Sequence, residues 1–213
     1  MSRLSRILPD PYHSTRLHDQ RLDAVVDCLN GWGSRSVMDL GCGSGALISR
    51  RLSEPEIRRV VGVDRCPEAL ALAYRRLASA AGCLDGRVAL RQGCITAVGD
   101  DECGFDAVVA VETIEHLRPD QLSALERVLF VRLRPRHVLV TTPNRDYNAL
   151  LGLADNECRH RDHRFEWGRQ RFERWASAIA ARHGRDVAFQ PIGPVHAWYG
   201  SPTQMAVFSP GTA

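Results

Sequence analysis

Residues 36–52 read SVMDLGCGSGALISRRL. A short apolar run, a turn carrying Gly41, Gly43 and Gly45, and an amphipathic stretch predict a strand, a tight loop and a helix. The pattern repeats outward. RRVVGVDR (58–65) predicts a second buried strand ending in Asp64, and Pro67 opens a helix to about Ala81, proline being tolerated in a first turn. RVALRQG (87–93), FDAVVAVE (105–112) and RHVLVTTPN (136–144) predict three further strands, with a helix from Pro119 to Leu133 before the last. Upstream, Leu17, Leu22, Val25, Val26 and Leu29 fall at helical spacing, and Gly31 and Gly33 end that helix. Downstream come a polar loop over 145–168, a helix from Arg169 to Ala181, and strands near 187–191 and 204–208. Apolar strands alternating with amphipathic helices predict an α/β fold with a mostly parallel sheet covered on both faces.

The 213 residues suit one domain over 17–213 behind an irregular lead-in, 1–16, that contains Pro9 and Pro11. The chain is 44% hydrophobic and 25% charged, as a water-soluble globule is. No apolar run approaches the roughly 18 residues of a membrane span, and the N-terminus lacks a signal-peptide core, so a cytoplasmic protein is expected. Seven cysteines, an odd number with no CxxC pair, argue against a zinc knuckle or a disulfide framework. Net charge is +3, and all 28 basic residues are arginine. That charge alone does not establish a nucleic-acid partner.

In DLGCGSGA (39–46) the glycines let the backbone turn sharply and approach a ligand. Gly41, Gly43 and Ala46 nearly satisfy a dinucleotide fingerprint. Asp39, directly before the loop, would repel a pyrophosphate and suits an ammonium-bearing ligand such as the methionine part of S-adenosylmethionine. Asp64 ends the second strand, where it can accept hydrogen bonds from both hydroxyls of a ribose. A dinucleotide site and a purely structural turn are the alternatives.

VETIEHL (111–117) ends the fourth strand at the sheet edge where α/β proteins bind ligands. If a helical turn follows, Glu112, Glu115 and His116 share one face. Close carboxylates repel, and a cation relieves that. Oxygen and nitrogen donors without thiolate suit Mg²⁺, Mn²⁺, Fe²⁺ or Zn²⁺. A solvated helical face is the alternative. RHRDHRFEW (159–167) carries a second donor group, in which either His160 or His163 could complete a four-ligand site; a surface loop with its histidines paired to Asp162 or Glu166 is the alternative. Phe165 and Trp167 read as anchors of this loop or as base-stacking groups. The nearby arginines read as a salt-bridged face or as phosphate contacts.

Taken together, QR (20–21), DLGCGSG, GVD (62–64), QG (92–93), VETIEHL, TTPNRDYN (141–148) and RHRDHRFEWGRQRFERWA (159–176) resemble the small-RNA 3′-terminal 2′-O-methyltransferases of the Hua-enhancer family. The resemblance implies a Rossmann-like class I methyltransferase with a seven-stranded sheet and S-adenosylmethionine as cofactor. It implies metal ligation by Glu112, Glu115, His116 and His163, choosing His163 over His160, with Mg²⁺ or Mn²⁺ bound. It places Cys94 at the adenine end of the cofactor and Arg21 near the substrate. The substrate implied is RNA whose 3′-terminal ribose has free 2′- and 3′-hydroxyls, and His116 is the expected general base. The bacterial branch repairs RNA with a kinase–phosphatase–ligase that engages a long N-terminal half. About 16 residues precede the first helix here, which leaves that partnership open while retaining the methyl transfer. A metal-independent small-molecule methyltransferase and a non-catalytic RNA-binding adaptor are the rival readings.

Overall fold

The computed structural model of the chain describes residues 16–81, 86–99 and 102–211. Apart from Arg16, the expected lead-in lies outside the described residues, as does Cys83. Seven strands form one sheet: β1 (Ser36–Leu40), β2 (Arg59–Asp64), β3 (Val88–Gln92), β4 (Ala107–Val111), β5 (His137–Pro143), β6 (Arg185–Ile192) and β7 (Thr203–Pro210). Their order is β3-β2-β1-β4-β5-β7-β6. β1 to β5 are mutually parallel, whereas β7 runs antiparallel to both β5 and β6. Winding goes one way from β1 to β3 and the other way from β4. The crevice between β1 and β4, at their carboxyl ends, is therefore the topological switch point where such sheets bind ligands.

Among the described residues five α-helices cover the sheet: α1 (Arg16–Gly31), α2 (Ala46–Leu52), α3 (Pro67–Ala81), α4 (Leu122–Arg127) and α5 (Arg169–His183). The two-residue period of the strands sorts the core onto two faces. Met38, Leu40, Val108 and Ala110 face a cluster with Leu125 of α4 and Phe172 of α5. Val37, Ala107 and Val109 face Leu22, Val25 and Leu29 of α1. Ile48 of α2 meets Leu70 and Leu77 of α3 over Val60. Among the described residues no helix is long and apolar enough to cross a membrane.

One element differs from its expectation. The helix read over 119–133 is a 3-10 turn (Pro119–Gln121), then α4, then a π-helical stretch (Val128–Leu133). Apolar spacing reports which face is buried and not which hydrogen-bond ladder carries it. The π stretch buries Val128, Leu129, Phe130 and Leu133, then ends at Arg134 in the left-handed region.

Candidate active site

At the end of β1 the chain turns back through the glycine loop. Gly41 and Cys42 donate their amides to the Val63 carbonyl of β2 at 2.7 and 3.1 Å. Gly41 has φ 84°, and a Cβ there would lie 2.6 Å from the Thr113 side chain, so no other residue fits between the loop and the end of β4. Gly43, at φ 51°, would meet nothing within 4 Å, leaving its backbone open to a ligand. Gly45 (φ 73°) caps the start of α2. Asp64 ties the parts together: one carboxylate oxygen accepts the Gly43 amide at 2.8 Å and the other the Cys66 amide at 2.9 Å.

A cleft of about 810 Å³ opens above these strand ends, and Asp39, Gly41 and Gly43 line one side of it. Asp39 is only 3% exposed. Burial, then the neighbouring Asp64, pushes its carboxyl up to about 7. Neither Asp64 nor Cys94 lines the cleft. Cys94 is exposed, with its thiol 3.0 Å from the Thr96 hydroxyl.

Glu112, Glu115, His116, His160, His163 and Arg21 line the other side of the cleft. The single helical face expected for the first three does not form. Glu112 adopts φ 50°, and the 3-10 turn begins only at Ile114 (Ile114–His116). The Glu112 carboxylate instead accepts the Thr141 hydroxyl at 3.0 Å and pairs with Arg21 at 3.4 Å. Burial raises its carboxyl against the pull of Arg21 and Thr141. Glu115 is wholly buried. Its Oε2 accepts the Thr142 hydroxyl at 2.9 Å, while Oε1 has no hydrogen-bond partner. Burial, reinforced by Glu112, lifts the Glu115 carboxyl well above the usual range. His116 is held down to about 4 by burial and by His163.

His163 arrives from the 159–167 loop, which the Arg164 amide fastens to the Glu115 carbonyl at 2.7 Å. The His116 and His163 rings lie edge to face, with centroids 4.9 Å apart. Glu115, His116 and His163 each offer a ligand atom, all within 4.8 Å of one another. Three of the four expected ligands thus converge. Glu112 faces the same cleft but stands outside this group, engaged by Arg21 and Thr141. His160 also stands outside; its Nδ1 accepts the Asp162 amide at 3.2 Å.

Two residues of the site, Arg159 and Asn148, have roles the sequence did not suggest, and a third, Glu166, was expected only as a surface partner of the loop histidines. Arg159, counted there among the basic surface residues, is a clamp: Nε donates to Asn148 at 2.7 Å, one terminal nitrogen to the Pro202 carbonyl at 2.7 Å, and the other to the Asn144 carbonyl. Glu166 is buried and accepts from His163, Asn148 and the Arg159 amide. Burial alone would raise the Glu166 carboxyl; these three donors outweigh it and hold it below the usual carboxylate range. Asn148, also buried, joins the two. No spacing rule marks the Arg159 clamp, whose acceptors at Asn144, Asn148 and Pro202 lie outside the 159–167 loop. Trp167 is 5% exposed and stacked on Phe165 at 4.4 Å, a core anchor with no face for a base.

A family profile described as a methyltransferase domain matches residues 37–136. The small RNA 2′-O-methyltransferase of Rattus norvegicus is 34% identical over 203 residues, which cover 90% of this chain and 50% of that protein. The chain thus spans half the length of that curated relative. The solved methyltransferase domain of bacterial CtHen1 is 38% identical, with a TM-score of 0.82 over 91% of this chain and 100% of that one. The solved small RNA methyltransferase HEN1 is 26% identical, with a TM-score of 0.87 over 98% of this chain and 27% of that one. With 38% identity over the whole of the bacterial CtHen1 domain, the chain belongs to the Hen1 methyltransferase-domain family.

Proposed function

We propose that this domain transfers the methyl group of S-adenosylmethionine to the 2′-hydroxyl of the 3′-terminal nucleotide of RNA, with the aid of Mg²⁺ or Mn²⁺. The observation that carries the reading is the convergence of Glu115, His116 and His163 in the cleft that also exposes Asp39 and the glycine loop. Both groups fit the residues present. Asp39 is a buried acid whose ionised form gains from a positively charged ligand, and the open backbone at Gly43 admits one closely. Glu115 carries a buried carboxylate oxygen with no partner. Leaving such a group unsatisfied costs about 1–3 kcal/mol, more for a charge, and a cation removes that cost.

When bound, the cofactor supplies the activated methyl and the divalent ion supplies Lewis-acid polarisation of the ribose hydroxyls. Asp39 holds the cofactor's ammonium end. Asp64 already accepts one amide on each oxygen and keeps lone pairs for ribose hydroxyls. Glu115, His116 and His163 hold the cation, with Glu112 the fourth candidate. A neutral imidazole has one ring nitrogen with a free lone pair, and His116 offers a single ligand atom to the cluster. Ligation and general-base work compete for it, and we place ligation first. Arg21, in the cleft wall, is the candidate contact for RNA phosphate. Cytoplasmic location and an RNA-repair kinase–phosphatase–ligase partner belong to the same reading as further proposals.

The test is methyl transfer from labelled cofactor to a synthetic RNA with free 3′-terminal hydroxyls, with added Mn²⁺ and with EDTA. We expect transfer with Mn²⁺ and loss of at least about 100-fold with EDTA, since metal polarisation contributes several kcal/mol to such steps. Undiminished transfer in EDTA would favour the metal-independent rival. RNA binding without transfer under any metal would favour the adaptor.

A pH dependence follows from Asp39. Its carboxyl is pushed up to about 7, so the anion that attracts an ammonium group is mostly present at pH 8 and mostly lost at pH 6. Calorimetry should show S-adenosylhomocysteine binding roughly tenfold more weakly at pH 6 than at pH 8, the ratio of ionised fractions one unit either side of the midpoint. Asp39→Asn should bind weakly at both. A flat wild-type profile would exclude Asp39 from the ammonium site.

A further inference from the structure

Glu166 meets the candidate metal centre through a single atom pair. Its Oε1 lies 2.5 Å from His163 Nδ1, and its side chain has no solvent exposure. The same oxygen accepts the Arg159 amide at 2.8 Å, and Oε2 accepts the Asn148 side-chain amide at 2.6 Å. A carboxylate can only accept, so the hydrogen shared with the imidazole sits on Nδ1. Neutral histidine carries one ring hydrogen, and the lone pair then lies on Nε2. With Nδ1 engaged by Glu166, Nε2 is the nitrogen whose lone pair is free for the cluster that His163 forms with Glu115 and His116.

We propose that Glu166 is a positioning residue that sets the tautomer and the aim of His163, and so prepares it to bind a divalent cation. The proposal rests on the metal-assisted reading above. The competing role is a plain fastener of the 159–167 loop, since Glu166 also ties Arg159 and Asn148. The two roles separate because they use different contacts. Asn148→Ala removes the Asn148 contacts to Glu166 and Arg159 but leaves the Glu166–His163 contact. Glu166→Ala removes the His163 and Asn148 contacts of Glu166 and leaves Arg159 on Asn148. Glu166→Gln keeps an oxygen that can accept the Nδ1 hydrogen.

The first readout needs neither metal nor activity. Long-range ¹H–¹⁵N spectra of the histidine-labelled chain at pH 8 report which ring nitrogen carries the hydrogen. Wild type and Glu166→Gln should show His163 with its hydrogen on Nδ1, as should Asn148→Ala. Glu166→Ala should shift it toward Nε2. The second readout is Mn²⁺ binding followed by electron paramagnetic resonance. Glu166→Ala should weaken it about 10- to 100-fold, the usual effect of losing an orienting partner of a ligand histidine. Glu166→Gln should recover most of that loss. A wild-type His163 with its hydrogen on Nε2 overturns the proposal without any variant having to fold. So does Glu166→Ala with unchanged tautomer, or Asn148→Ala that shifts tautomer and Mn²⁺ affinity as much as Glu166→Ala. If the wild-type chain transfers no methyl to RNA, the proposed function fails, while the tautomer measurement still decides the role of Glu166.

Discussion

His163→Ala should lower methyl transfer to RNA about a thousandfold while leaving cofactor affinity within about twofold. The size follows from the chemistry assigned to the centre. Polarisation by a divalent ion contributes several kcal/mol, and about 4 kcal/mol is three decades in rate. Sparing of the cofactor follows from topology. Asp39 and the glycine loop hang from β1 and are pinned to β2 through Val63 and Asp64. His163 arrives on a separate loop held by Glu115, Glu166 and Arg159. Truncation also leaves Glu166 with two donors in place of three, a cost of about 1–3 kcal/mol to the fold. Glu115→Gln gives a second arm, because an amide oxygen can still accept the Thr142 hydroxyl while the charge is gone. Single-turnover transfer and calorimetric binding of S-adenosylhomocysteine are the paired measurements. Loss of cofactor binding in His163→Ala, or transfer at the wild-type rate, would remove His163 from the centre. Glu112→Ala asks a separate question. If it abolishes transfer and weakens Mn²⁺ binding, Glu112 is the fourth ligand; if Mn²⁺ binding is intact, its role is confined to Arg21 and Thr141.

What could be read from the sequence was what is locally encoded. The β1–loop–α2 unit follows from an apolar run meeting three glycines, and α3 begins at Pro67 because proline fixes a first turn. Glu115 and His116 are chain neighbours, so one turn suffices to bring them together. Glu112 shows where local reading stops. A helical face through residues 112–116 is what the spacing predicts, but φ 50° at Glu112 turns its carboxylate out of that face, toward Thr141 and Arg21. Nothing in the order of residues near Glu112 forecasts a left-handed glutamate, which is uncommon without a tertiary hold. His163 and His160 are equivalent by spacing, and only the family resemblance chose between them. The fold separates them through contacts with Glu115 and Glu166. Arg159 and Asn148 were illegible because the clamp joins the loop to Asn144, Asn148 and Pro202, which only the fold brings near; Glu166 was legible as a histidine partner three residues from His163, but its burial was not.

The second large effect concerns the end of the RNA. Matched oligonucleotides that differ only at the terminus should separate by at least about 100-fold in kcat/KM, with free 2′- and 3′-hydroxyls well ahead of 3′-deoxy and 3′-phosphate ends. An oxygen-seeking divalent ion takes about six donors. The chain offers three converging side chains, or four with Glu112, so at least two places remain for the vicinal hydroxyls of a terminal ribose. A 3′-deoxy end has one of those oxygens and keeps the nucleophile, so its deficit isolates the value of the second. A 3′-phosphate removes the free hydroxyl and also brings close to two negative charges toward Glu115 and Glu112. Arg21 already shares its single positive charge with Glu112, so it offsets only part of that phosphate's charge. The 3′-phosphate should therefore be the poorer of the two, and raising the salt concentration should narrow its deficit while leaving that of the 3′-deoxy end unchanged. Equal turnover of all three would mean that the centre does not grip the vicinal pair, and end recognition would then have to come from the walls of the cleft.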